Sequence, residues 1–119
     1  MSEQRKEERK TLISFTPVYD FRKNILMGYL RDLTIRGAML EGNRPVEVDH
    51  KLLLAIEFHE TPEIPATRTT ILARVVWCNH VERSIYYNTG FEFVQLTDEN
   101  KKVLGAILER YQFRQEPPA

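Results

Sequence analysis

Apolar and polar residues alternate with a period of two along most of residues 11–94, which is the pattern of β-strands with one buried face. Glycines, prolines and charged residues separate the alternating runs. The segment 79–83 is short enough for a hairpin, so the two runs that flank it are predicted to be antiparallel neighbours. The pattern as a whole predicts six short strands, at residues 12–18 (irregular, and broken near Pro17), 25–32, 35–41, 52–58, 71–78 and 85–94.

The period changes after residue 96 to the three-and-four spacing of a helix, and this predicts an amphipathic helix over residues 97–113. Asp98 is placed to cap its N-terminus, and Arg110 lies near the negative end of its dipole. The apolar face consists of Val103, Leu104, Ile107, Leu108 and Tyr111.

These elements predict an all-β fold with a C-terminal helix: a six-stranded antiparallel β-barrel over residues 11–96, with the helix against an opening or flank. Residues 1–10 are predicted to be a flexible, charged arm, and residues 114–119 a polar tail. Strands and helices do not alternate along the chain, so a doubly wound nucleotide-binding fold is not expected.

The composition narrows the class of protein further. The chain has 119 residues, enough for one domain, and 17 basic residues balance 17 acidic ones, so no overall positive field gathers a polyanion such as DNA. The single cysteine, Cys78, excludes an internal disulfide and fits a reducing compartment; it is predicted to be a small buried residue. No signal peptide or membrane span is recognisable, and a cytoplasmic protein without membrane insertion is expected.

The sequence offers no constellation for catalysis. His50, His59 and His80 lack the spacing of metal ligands, and neither a phosphate-binding glycine loop nor a nucleophile motif is present. We therefore expect a binding domain with no enzymatic activity, no cofactor and no metal.

Residues 32–37, with the sequence DLTIRG, are the first candidate site. The Asp32 carboxylate can accept hydrogen bonds from a donor edge such as that of guanine, and the Thr34 hydroxyl can bond a phosphate or a base. Gly37 lets a ligand approach the backbone, and Arg36 either adds charge to the site or points to solvent. The alternative is a polar turn in which Asp32 and Thr34 cap backbone amides.

The N-terminal arm is the second candidate site. Arg5 and Arg9 are four residues apart, beside Lys6, and two guanidinium groups can bind phosphates or the O6/N7 edge of guanine in a bidentate manner. The alternative is a solvated charged tail. Trp77 could stack on a base, but it shares a predicted strand face with Ile71 and Val75, so packing in the core is the preferred prediction.

Together, Arg5-x-x-x-Arg9 and Asp32-x-Thr34-x-x-Gly37 resemble the RxxxR and (D/N)xSxxG motifs of PilZ domains, bacterial receptors for the second messenger cyclic di-GMP. The segments ARVVW and TGFEF also resemble later strands of that family. The resemblance implies that Arg5 and Arg9 hold guanine and phosphate groups and that Asp32, Thr34 and Gly37 form the facing barrel surface. Lys6, Arg36 and Trp77 are secondary candidates. Thr34 stands where the family usually has serine, and its extra methyl group could weaken binding.

The resemblance further implies that ligand binding orders the arm and changes the surface offered to a downstream protein in motility, exopolysaccharide production or pilus control. Two alternatives remain open from the sequence. One is a PilZ-like barrel that binds no nucleotide and acts as a protein adaptor. The other is a barrel that binds single-stranded nucleic acid through Tyr86, Tyr87 and Phe91, which zero net charge disfavours.

Overall fold

The computed structural model describes residues 16–60 and 65–110. Six strands and one helix follow each other along this part of the chain. They are β1 (Pro17–Asp20), β2 (Ile25–Leu33), β3 (Gly37–Gly42), β4 (Lys51–Phe58), β5 (Thr67–His80), β6 (Tyr87–Gln95) and α1 (Asp98–Arg110).

The strands form a closed barrel in the order β1-β2-β3-β6-β5-β4, and every neighbouring pair is antiparallel. The predicted fold class, a six-stranded antiparallel barrel with a C-terminal helix, is confirmed. Because β3 lies beside β6, the segment 43–50 must cross from β3 to β4 at one end of the barrel. Asp49 and His50 fix this crossing through backbone hydrogen bonds with Val75, of 2.8 and 2.9 Å.

The inward positions of the strands and one face of α1 form a single apolar core. Alternation places every second residue of a strand inside, and Leu52, Leu54, Ile56 and Phe58 of β4 are all buried, as the pattern predicts. Leu104 and Ile107 of α1 are almost fully buried in the same core, so the helix is an integral part of the barrel.

The start of α1 differs from the prediction, because Thr97 and not Asp98 is its cap. The Asn100 amide donates to Thr97 Oγ1 at 3.0 Å, and the Thr97 amide donates to Asn100 Oδ1 at 3.0 Å, which is a reciprocal capping arrangement. The Asn100 side-chain amide also donates to Thr69 Oγ1 at 2.8 Å and to the Thr70 carbonyl at 3.1 Å. Asn100 therefore sets the helix start and ties it to β5.

The strand bounds differ from the prediction at the turns. Strand β3 begins at Gly37, since Ile35 and Arg36 belong to the preceding turn, and β6 begins at Tyr87. Ile85, the predicted first residue of the last strand, lies in the hairpin between β5 and β6 and is 69% exposed. For the predicted first strand, residues 12–15 lie outside the described part, and β1 starts at Pro17.

Cys78 is half-buried, and the prediction of a buried apolar cysteine is wrong. Its sulfur accepts hydrogen bonds from the Val46 amide at 3.4 Å and from Thr89 Oγ1 at 3.3 Å. These contacts link β5 to the crossing segment and to β6. No helix in the described part of the chain combines the length and the apolar character needed to cross a bilayer.

Candidate ligand-binding surface

The turn between β2 and β3 is held by the side chain of Thr34. Its Oγ1 accepts hydrogen bonds from the amides of Arg36 at 3.1 Å and Gly37 at 3.3 Å, and its own amide donates to the Gly37 carbonyl at 2.9 Å. The turn-forming alternative is therefore correct for Thr34. Since a hydroxyl has one donor and two acceptor positions, this arrangement occupies the acceptor positions and leaves the O–H to donate to an acceptor such as a phosphate oxygen.

Gly37 is required by the close approach of β3 and β6. It pairs with Glu92, and a Cβ at this position would overlap the carbonyl oxygen of Phe91. The neighbouring Arg36 carbonyl accepts a hydrogen bond from the Phe93 amide at 2.8 Å. The glycine therefore allows β3 to pack closely against β6 at the turn. The ligand access predicted for Gly37 from the sequence stays a prediction.

The strand register places four outward-facing residues in one row across four strands. Asp32 of β2 pairs with Met39 of β3, Met39 with Gly90 of β6, and Gly90 with Trp77 of β5. A register irregularity between Leu30 and Asp32 turns Asp32 to the same side as Met39, while Leu30 remains in the core. The outer face of the barrel thus carries a carboxylate at one end of the row and an indole at the other.

Trp77 is exposed, and the prediction that it packs in the core is wrong. A second register irregularity, between Val75 and Trp77, inserts one residue into β5 and reverses the alternation, so Val75 is buried while Trp77 is 37% exposed. The indole lies over Gly90, where a Cβ would overlap the ring. The absence of a side chain at Gly90 therefore leaves the space that the indole occupies.

These residues line an open pocket of 340 Å³. Its walls include the residues that the sequence singled out in the β2–β3 turn, together with Trp77 and side chains from β3 and β6. The lining includes Asp32, Thr34, Arg36, Gly37, Met39, Trp77, Gly90 and Glu92.

The charges at the pocket are mixed. Asp32 and Glu92 are acidic, and Arg36 is the basic residue of the lining. Arg74, just outside the pocket, donates to Glu92 Oε1 at 2.7 Å and to Asp49 Oδ1 at 2.6 Å. The pKa of the Arg74 guanidinium is raised above its ordinary value, mainly by the hydrogen bond to Glu92 and further by the pairing with Asp49. Partial desolvation of the guanidinium opposes this rise.

The structure therefore brings Asp32, Thr34, Arg36, Gly37 and Trp77 to one surface, whereas Arg5, Lys6 and Arg9 lie outside the described residues. Sequence reasoning missed Gly90 and Glu92 as members of this surface. An isolated glycine within a strand pattern is a signal of close approach, and it could have indicated Gly90. No comparable signal marks Glu92.

The aromatic residues proposed for single-stranded nucleic acid do not form a common platform. Phe91 is 4% exposed and belongs to the core, which corrects its assignment as a stacking residue. Tyr87 is half-buried beside His80, with ring centroids 5.0 Å apart, and Tyr86 lies exposed in the β5–β6 hairpin.

Comparison with known proteins identifies the family of this chain. The family model for the PilZ domain matches residues 3–110, which contain both motifs and every strand described above. Neither the curated proteins nor the solved structures contain a match to this chain. The family model covers nearly the whole sequence, and the fold is the closed six-stranded barrel with a terminal helix. The chain is a member of the PilZ domain family.

Proposed function

We propose that this protein is a cyclic di-GMP receptor that binds its ligand between the N-terminal arm and the outer face of the barrel. PilZ domains are binding and adaptor domains of cyclic di-GMP signalling, and membership of the family supports this choice of ligand. The observation that carries the proposal is the convergence of Asp32, Thr34, Gly37 and Trp77 on one outward-facing pocket. Residues from three strands and a turn meet there.

Each side chain of the pocket suits a different part of the ligand. The Asp32 carboxylate accepts hydrogen bonds from the N1–H and N2–H₂ donors of a guanine, and the Thr34 hydroxyl donates to a phosphate oxygen. The indole of Trp77 offers a flat apolar surface on which a base can stack. Met39 and Gly90 lie between Asp32 and Trp77 in the row, so they form the floor of the site.

The charges of the pocket support a role for the arm in the proposed site. Asp32 and Glu92 outnumber Arg36, so the described lining does not attract a dianionic ligand by itself. Arg5 and Arg9 supply the missing positive charge in a form that binds phosphate or guanine in a bidentate manner, and Lys6 adds to it. Ordering the arm costs about 1–2 kcal/mol per residue and offsets much of the contact energy, so we expect an affinity of roughly micromolar.

Signalling follows from the ordering of the arm. The ligand fixes residues 1–10 over the outer face and so changes the surface presented to a downstream partner protein. In this proposal the domain acts by binding and has no catalytic activity, cofactor or metal of its own. It works in the cytoplasm, where cyclic di-GMP is made and read, without inserting into a membrane or binding nucleic acid.

Calorimetric titration with cyclic di-GMP tests the proposal, with tryptophan fluorescence as a second readout. Trp77 is the single tryptophan of the chain, so its emission reports directly on the pocket. We expect saturable heat, a change of emission at the same stoichiometry, and affinity about 10-fold or more lower in Asp32→Ala, since a bond to a charged group contributes about 1.5–3 kcal/mol. Asp98→Ala, at the exposed start of α1, is the matched control and should bind as the wild type does.

Two results would contradict the proposal. If cyclic di-GMP produces neither heat nor a fluorescence change, the protein is a PilZ-like adaptor that binds no nucleotide. If single-stranded oligonucleotides bind instead, with an affinity that falls steeply with salt, the nucleic-acid alternative is correct.

A further inference from the structure

We propose that Glu92 is a second base-reading residue of the site and that it recognises a guanine different from the one read by Asp32. This inference rests on the proposed cyclic di-GMP site and adds a residue outside its two motifs. Glu92 is directly opposite Gly37 in the β3–β6 pair, faces outward and lines the same pocket. Its side chain is 54% exposed, so its carboxylate is accessible to a ligand.

Arg74 holds the Glu92 carboxylate in place. The Arg74 guanidinium bonds Glu92 Oε1 at 2.7 Å, and its other terminal nitrogen bonds Asp49 Oδ1 at 2.6 Å. Asp49 is itself anchored, because its amide donates to the Val75 carbonyl at 2.8 Å. A carboxylate has two oxygens and about four acceptor positions, so the bond to Arg74 orients Glu92 and leaves acceptor capacity for a ligand.

The register places Asp32 and Glu92 at separate positions on the pocket surface. Asp32 is two strands from Gly90, and Glu92 is two residues further along β6. With strands about 4.8 Å apart and a rise of about 3.3 Å per residue, the two Cα atoms are roughly 12 Å apart. Cyclic di-GMP carries two guanines, so two separated carboxylates on one face match two donor edges.

The chemistry predicts selectivity against adenine. The Watson–Crick edge of guanine presents two neighbouring donors, N1–H and N2–H₂, to a carboxylate. Adenine presents the lone pair of N1 beside its amino group, and a carboxylate repels that lone pair. If only one carboxylate binds a guanine, replacing the other guanine of the ligand by adenine costs no affinity. If two carboxylates each bind a guanine, replacing either guanine by adenine lowers the affinity.

Calorimetry with cyclic di-GMP and with the mixed dinucleotide cyclic GMP-AMP, on the full chain, tests this inference. We expect the wild type to prefer cyclic di-GMP about 10-fold or more, since each charge-assisted contact corresponds to about one to two powers of ten. In Glu92→Gln the preference should fall below about 3-fold, because the amide oxygen still accepts from Arg74 while the amide hydrogens oppose the guanine donors. Thermal melting should show that this variant is folded.

Glu57→Gln is the matched control, because Glu57 is an outward-facing strand residue paired with an arginine, Arg68, at 3.5 Å, outside this pocket. It should keep the wild-type preference. The inference is overturned if Glu92→Gln keeps the wild-type preference for cyclic di-GMP, or if the wild type itself shows no preference. In both cases the proposed function stands as long as the wild type binds cyclic di-GMP. A wild-type protein that binds neither dinucleotide would refute the proposed function and this inference with it.

Discussion

Replacement of Arg5 and Arg9 together by alanine is expected to weaken cyclic di-GMP binding by about 100-fold or more. Two charge-assisted contacts of about 1.5 kcal/mol or more each are lost, and every 1.4 kcal/mol corresponds to a factor of ten. The loss should be large because the pocket itself contains more acidic than basic side chains. Calorimetric titration of the wild type and the double variant measures the effect.

The conservative double variant, Arg5→Lys with Arg9→Lys, separates charge from geometry. Lysine keeps the positive charge but cannot make the planar two-point contact of a guanidinium group. We expect it to recover only a minor part of the lost affinity. Wild-type affinity in the alanine variant would show that residues 1–10 take no part in binding, and full recovery by lysine would show that only the net charge of the arm matters.

The second large effect is expected on stability, from Gly37→Ala. The added methyl group would overlap the Phe91 carbonyl oxygen, which belongs to the backbone of β6 and cannot rotate away. The β3–β6 pair must separate locally, and we expect a loss of about 2–3 kcal/mol in the free energy of unfolding. For a domain of this size that corresponds to a melting temperature lower by about 10 °C.

Gly105→Ala is the matched control for this substitution. A Cβ at Gly105 meets nothing within 4 Å, and the residue is on the exposed side of α1. Since alanine is the better helix former, this variant should be more stable than the wild type by about 0.5–1 kcal/mol. Thermal unfolding followed by circular dichroism compares the two. An unchanged melting temperature in Gly37→Ala would mean that the close approach of β3 to the Phe91 carbonyl is not present in solution.

The barrel could be predicted from the sequence because most of its strands bury one face. In β4, the apolar residues Leu52, Leu54, Ile56 and Phe58 fix both the strand and its inward side. The alternation is not informative at Val75-Val76-Trp77, because three consecutive apolar residues do not show which side chains face the core. The inserted residue that turns Trp77 outward depends on Gly90 in the neighbouring strand, and a local pattern contains no information about that contact.

The start of α1 shows a similar limit. Thr97 and Asp98 are both good helix caps, and local preference does not separate them. The choice depends on Asn100, which bonds Thr97 on one side and reaches Thr69 and Thr70 of β5 on the other. The tertiary contact therefore decides which residue caps the helix.

Most of the candidate site could be predicted from the sequence, but its residues on β6 could not. Asp32, Thr34 and Gly37 are close together in the chain, so one short motif indicates them. Glu92 and Gly90 join them only because β6 pairs with β3, although β4 and β5 come between these strands in the sequence. The alternation of apolar residues predicts how many strands there are, but not which strand lies beside which.

Amide hydrogen exchange of residues 1–10, with and without cyclic di-GMP, tests the central claim most directly. The peptide of residues 65–68, at the start of β5 and away from the pocket, serves as an internal reference. If the ligand is held between the arm and the barrel, exchange should slow in residues 1–10 and in the Thr34–Gly37 turn, and remain the same in the reference peptide. Equal exchange of the arm in both states, at ligand concentrations that saturate the Trp77 signal, would contradict the account.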